Sequence, residues 1–176
     1  MRPCIFLDRD GVINEVNLVD GKPHPPKNLE QLKILPGVND SLVCLKNAGY
    51  LLIIITNQPD VARGMTRKTT VEDINRFISN SLPIDDIYTC FHDANDHCDC
   101  RKPLPGAIIS AKSKWDINIA NSFMVGDRWK DVEAGIAAGC KTVFIDCKYN
   151  EKRPPTFDFK ANDLQSATKF ILEGNT

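Results

Sequence analysis

Two carboxylates two residues apart, Asp8 and Asp10, follow the apolar run Ile5-Phe6-Leu7 and precede Gly11. In extended backbone, positions i and i+2 share a face. Such a pair can hold a divalent cation, divide the work of nucleophile and acid, or simply end a solvated Asp-Gly turn. Groups after other apolar runs bear on the choice. Thr56-Asn57-Gln58 offers a hydroxyl and two amides to phosphate oxygens, and Gly126-Asp127 adds a third carboxylate with Asp131 one helical turn beyond it. Oxygen ligands from two segments suit Mg²⁺, which keeps room for water and substrate phosphate. Arg101-Lys102-Pro103 supplies positive charge, the Lys as a point charge on a phosphoryl group and the Arg as a bidentate grip on a second anion.

A second constellation is softer. Cys90-Phe91-His92 and Cys98-Asp99-Cys100 make a Cys-x-His and a Cys-x-Cys pair, and four such ligands suit tetrahedral Zn²⁺ with no position left for a catalytic water. Free thiols are the plain alternative. His97 could replace His92 and is read as a loop residue. Cys100 directly precedes Arg101-Lys102, so a zinc clamp over about 90–105 would fix the loop that presents both cations. Cys4, Cys44, Cys140 and Cys147 read as small packing residues, Trp115 and Trp129 as packing anchors, His24 as a loop residue, and Arg9 and Arg128 as surface charges.

The elements that must position these groups follow from periodicity. Short apolar, β-rich runs at 4–7, 51–55, 87–90, 123–125 and 142–145 read as strands. Helical patterns fill 38–48, 70–80, 105–115, 129–138 and 163–172, with Thr70 as a cap, Pro105 in a first turn, Gly49 and Gly139 as stops, and Asp163 capping the last. Strands alternating with helices imply a doubly wound, Rossmann-like parallel sheet in three α/β/α layers. Residues 17–35, 91–105 and 146–160 break the alternation and read as a polar loop, the Cys/His excursion and a Pro- and Lys-bearing connection.

The 176 residues suffice for one globular domain over 1–176. A net charge of -1 gives no field toward nucleic acid or anionic lipid, and no apolar run approaches membrane-spanning length. Secretion and membrane insertion are not expected. Seven cysteines, three of them between Cys90 and Cys100, fit a reducing compartment, so the expected location is cytoplasmic and the default state a monomer.

The ordered set Asp8-Arg9-Asp10-Gly11-Val12-Ile13-Asn14, Thr56-Asn57, Lys102 and Gly126-Asp127-Arg128-Trp129-Lys130-Asp131 resembles the haloacid dehalogenase superfamily. That resemblance implies a Mg²⁺-dependent phosphatase without a large cap domain. In it Asp8 would be the nucleophile, Asp10 the general acid and base, and Thr56 and Lys102 would hold the transferred oxygens. Mg²⁺ would be bound by Asp8, the Asp10 carbonyl and Asp127. The zinc loop narrows the resemblance to the histidinol-phosphatase-related branch, and Val61-Ala62-Arg63-Gly64 with Arg101-Lys102-Pro103-Leu104-Pro105-Gly106 leans toward its heptose 1,7-bisphosphate phosphatases. The implied activity is removal of the 7-phosphate in the synthesis of activated heptose for surface polysaccharide. Asn14, Asn57, Gln58, Arg63, Arg101 and Arg128 would contact substrate, with Arg63 and Arg101 on the remote phosphate. Pro59-Asp60 stands where the heptose enzymes usually carry Ser-Gly. The alternatives are a phosphatase for histidinol phosphate or another small phosphomonoester, and, in a different class, a zinc-stabilised binding module.

Overall fold

The computed structural model describes residues 1–174. Its first strand, β1 (Cys4–Leu7), is buried along its whole length, as a strand covered on both faces must be. There follow β2 (Asn17–Val19), β3 (Lys22–His24), α1 (Val38–Asn47), β4 (Leu51–Asn57), α2 (Lys68–Ser81), β5 (Asp86–Cys90) and α3 (Gly106–Trp115). The chain continues through β6 (Phe123–Gly126), α4 (Trp129–Ala138), β7 (Lys141–Ile145), β8 (Phe159–Ala161) and α5 (Leu164–Glu173).

Six strands form one parallel sheet in the order β5-β4-β1-β6-β7-β8. Alternation along β1 divides the core in two. Ile5 and Leu7 face the side covered by α1, α2 and α5, while Cys4 and Phe6 face the side where Ala107, Ile108 and Ala111 of α3 and Ala134 of α4 pack. The chain runs from β1 outward to β4 and β5, then returns to β6 beside β1 and runs outward the other way. The expected three-layer doubly wound fold is therefore present, with its switch point between β1 and β6.

Four details differ from the reading of the sequence. Residues 17–35 contain the antiparallel hairpin of β2 and β3 and a 3₁₀ turn at Leu29–Gln31, where Gln31 N–H donates to Asn28 Oδ1 at 3.0 Å. The connection 146–160 yields a short edge strand, β8, pairing with β7. Helix α2 starts at Lys68, with Arg67 before it and no side-chain cap, so Thr70 is not the cap. Asp163 does cap α5, accepting from Ser166 N–H at 2.7 Å, and Cys44 is exposed rather than packed.

Candidate active site and metal centres

The crevice between the carboxyl ends of β1 and β6 is where ligands bind in this architecture. Asp8 extends the pairing by one step, donating its N–H to Val125 C=O at 2.9 Å, which places it beside the end of β6, where Asp127 follows Gly126. Asp8 and Asp127 are nearly inaccessible, at 7% and 2% exposure. Gly11 takes φ +90°, and a Cβ there would fall 2.0 Å from Asp127 Oδ2, so the turn and the carboxylate together admit only glycine.

Lys102 closes the crevice. Its ammonium has three protons, and three acceptors surround it: Asp8 Oδ1 at 2.8 Å, Asp131 Oδ1 at 2.7 Å and Ile55 C=O at 2.6 Å. Burial would discharge the amine, but Asp131 and Asp8 outweigh burial and hold its pKa above the ordinary lysine value. Asn57 pins the segment carrying it, donating to Lys102 C=O at 2.9 Å and accepting from Lys102 N–H at 3.1 Å. Asp131, a neighbour to Asp127 in the sequence, is thus the second anchor of Lys102, and it also accepts from Arg128 N–H at 2.9 Å.

Asp10 sits in a ring of donors. Asn14 Nδ2 reaches its Oδ1 at 3.0 Å, Gln58 Nε2 its Oδ2 at 2.7 Å, and Arg9 grips both oxygens. Gln58 also donates to Thr56 Oγ1 at 2.9 Å, tying the end of β4 to the end of β1. Arg9 is fully buried, so its reading as a surface charge is overturned: it lies in the turn just past the central strand β1, between two acids, and its guanidinium is turned into the interior.

Asp8, Asp127 and Asp131 offer carboxylate oxygens within 4.8 Å of one another. Neither Asp127 oxygen has a well-aligned hydrogen bond, although the Tyr149 hydroxyl abuts the group. Burial, then the neighbouring acids, pushes Asp8 up to about 6 and Asp127 well above the carboxylate range. A buried cluster of like charges with orphaned oxygens is the environment a hard divalent cation neutralises, so the residues fit Mg²⁺.

The softer cluster also assembles. Cys90 Sγ lies 3.7 Å from both Cys98 Sγ and His92 Nδ1, and Cys100 Sγ lies 3.4 Å from His92 Nδ1. Ligands at tetrahedral Zn²⁺ bond lengths stand about 3.8 Å apart for S–S and about 3.6 Å for S–N. The four atoms therefore fit zinc, with Nδ1 of His92 as the nitrogen; His97 stands outside the group in a left-handed turn at φ 47°. Arg101 Nη1 donates to His92 C=O at 3.0 Å, which joins this loop to the crevice.

A HAD-hydrolase-like family model matches residues 99–165. D-glycero-beta-D-manno-heptose-1,7-bisphosphate 7-phosphatase of Vibrio cholerae is 38% identical over 157 residues, covering 82% of this chain and 81% of that protein. The chain belongs to this heptose-bisphosphate phosphatase family. The Rhodopseudomonas palustris member is 34% identical over 183 residues, covering 97% of this chain and 91% of its own. The crystal structure of the B. bronchiseptica D,D-heptose 1,7-bisphosphate phosphatase, complexed with magnesium and phosphate, superposes with TM-score 0.84 at 28% identity, covering 98% and 99% of the two chains.

In this member of the heptose-bisphosphate phosphatase family, a cavity of about 240 Å³ opens over Asp8 and Asp10. Its cations are not equivalent. Arg63 donates to both oxygens of Asp93, at 2.7 and 2.8 Å, and to Asp60 at 3.3 Å. Arg128 is held by Glu151, a partner that lies outside every motif. Lys130, which sequence reasoning passed over, lines the cavity beside Arg101 with no ion-pair partner among the described residues, and burial followed by repulsion from Arg101 and Arg128 lowers its pKa. No helix among the described residues is long and apolar enough to cross a membrane.

Proposed function

We propose that the chain, a phosphatase domain over 1–176, hydrolyses the 7-phosphate of D-glycero-D-manno-heptose 1,7-bisphosphate as a cytoplasmic monomer, in the supply of activated heptose. The observation that carries this reading is the convergence of Asp8, Asp10 and Lys102 on one cavity, with Asp127 beside Asp8 beneath it, in a chain 38% identical to a heptose-bisphosphate 7-phosphatase.

Asp8 accepts from Arg9 N–H at 2.8 Å and from Lys102 at 2.8 Å, both on Oδ1, which leaves Oδ2 to attack phosphorus in line with the departing C7 oxygen. The P–O bond to the sugar breaks as the bond to Asp8 forms, and Asp10 gives its proton to the leaving alkoxide. Asp10, now a carboxylate, takes a proton from water; the water oxygen attacks the aspartyl phosphate, the bond to Asp8 breaks, and phosphate leaves. Thr56 and Lys102 hold the transferred oxygens, with Asp131 keeping the ammonium charged and aimed. Asp8, the Asp10 carbonyl and Asp127 would hold Mg²⁺, which supplies neutralising charge beside the phosphoryl group. Cys90, His92, Cys98 and Cys100 would hold a structural Zn²⁺. Asn14 and Gln58 keep Asp10 in place, Asn57 keeps Lys102 in place, and Arg101 with Lys130 takes the remote phosphate. Arg63 and Arg128, held by their acids more closely than Arg101 is by Asp93 at 3.7 Å, shape the walls of that subsite.

The test is phosphate release in Mg²⁺ by wild type and Asp8→Asn, offered both anomers of the heptose bisphosphate and histidinol phosphate. Asp8-dependent cleavage of a heptose bisphosphate in preference to histidinol phosphate is expected. Preference for histidinol phosphate would overturn the substrate, and release independent of Asp8 would overturn the mechanism.

A further inference from the structure

Arg9 is the largest side chain among those fully buried in the described structure. Its guanidinium cannot lose its charge, so its place in the interior has to be matched by acceptors. Nε and Nη2 approach Asp10 Oδ1 at 3.3 and 3.1 Å, and Nη2 reaches Oδ2 at 3.1 Å. Nη1 turns the other way, donating to Asn75 Oδ1 on α2 at 2.8 Å, and Asn75 Nδ2 donates to Thr89 Oγ1 on β5 at 2.9 Å. A relay of hydrogen bonds thus runs from Asp10 through Arg9 and Asn75 to a strand that bears none of the groups over the reacting phosphate.

A buried ion pair adds little stability over an apolar pair of the same volume. What this one provides is direction: a two-pronged grip fixes the carboxylate plane, and Asn75 fixes the grip. The geometry points to Arg9 as the positioning residue for Asp10, with Asn75 as its anchor. This rests on the reading of Asp10 as general acid and base. Held in one rotamer, a single carboxyl can hand a proton to the leaving alkoxide and then take one from the water that replaces it. Without Arg9 the carboxyl keeps only one amide on each oxygen, Asn14 at 3.0 Å and Gln58 at 2.7 Å, and loses the two-pronged contact that fixes its plane, while Asp8 and Lys102 keep their places.

The experiment separates steps that need Asp10 from the step that does not. An alkyl phosphate needs a proton on its leaving oxygen, whereas p-nitrophenyl phosphate expels a stable phenolate without one. Arg9→Gln, Arg9→Lys and Asn75→Leu, each compared with wild type by far-UV circular dichroism and melting temperature, are assayed on both ester types with Asp10→Asn as reference. For Arg9→Gln the expected result is a fall of about 100-fold in kcat on the alkyl phosphate with KM little changed. On p-nitrophenyl phosphate the same variant should give a burst of one phenolate per site at near wild-type rate, followed by slow turnover. Arg9→Lys, which keeps the charge but not the two-pronged grip, should resemble Arg9→Gln, and Asn75→Leu should show the same pattern with a loss of order 10-fold. Equal loss of the burst and of alkyl turnover, or unchanged alkyl turnover, would overturn the inference; if Arg9→Gln does not fold, Asn75→Leu decides it. Should Asp10→Asn itself lack the leaving-group pattern, the general-acid reading fails. Should Asp10→Asn show it and neither Arg9 nor Asn75 variants do, only the role of Arg9 fails.

Discussion

Lys102 ties three groups together, because its three protons are taken by Asp8, by Asp131 and by the backbone of β4. Removing one acceptor should disturb the others. Asp131→Asn is expected to lower kcat about 10- to 100-fold, since the ammonium loses an anionic anchor and drifts from the phosphoryl oxygens, and single-turnover kinetics would register it. The acid cluster sets a pH response. Burial first, then Asp131, raises Asp8 from 3.8 to about 6, so the metal-free native state holds a proton there that the unfolded chain has released. The metal-free protein therefore has this contribution fully below the lower value and loses it as pH rises through the upper one. Mg²⁺ should reverse the loss: near pH 8, at about 100 times its Kd, it should raise the melting temperature by about 5–10 °C. The shift should shrink near pH 5, where protons compete, and vanish in Asp127→Asn; a shift independent of pH would contradict the cluster as the binding site. The carboxylates and Thr56 were legible in the sequence because each stands at or just past the end of an apolar run, and Lys102 because Arg101-Lys102-Pro103 concentrates positive charge ahead of a helix. Arg9 was not, because its charge alone suggested solvent and only the fold shows acceptors on both sides of it.

The Cys/His loop between Cys90 and Cys100 matters as an element because it reaches the crevice through Arg101 and the neighbouring Lys102. Cys98→Ser is expected to reduce zinc content, measured by atomic absorption, and to raise KM more than it lowers kcat, because Arg101 is displaced from the cavity while Asp8 and Asp10, in the turn after β1, stay in place. Lys130→Ala should raise KM for the bisphosphate about 10-fold and leave a monophosphate ester unaffected; an equal change for both would remove Lys130 from the subsite. The Cys-x-His and Cys-x-Cys pairs were legible from spacing alone, and the choice of His92 over His97 required the backbone, which turns His97 away in a left-handed conformation. The hairpin of β2 and β3 escaped notice because Asn17-Leu18-Val19 and Lys22-Pro23-His24 are too short and too exposed to show alternation. Edge strand β8 escaped for a similar reason: three residues after a proline-rich connection carry little periodicity.

Across the whole molecule, the sheet is what holds two distant segments at atomic tolerance. Central strands were legible as unbroken apolar runs, since both faces are covered by helices, whereas the strand order and the register come from the structure alone. Ile53→Ala, at a fully buried position of β4, should destabilise the fold by about 2–5 kcal/mol in urea titration while the remaining folded protein keeps its KM. The strand order also has a consequence for synthesis. β1 leaves the ribosome first, yet one of its two neighbours, β6, begins at Phe123, so the early half-sheet β5-β4-β1 carries an open, wholly apolar edge until the later strand arrives. Asp127 comes with that strand. The nascent chain thus cannot gather its full set of acids before its most aggregation-prone edge is covered, and the arrival of one strand both protects the chain and completes the pocket.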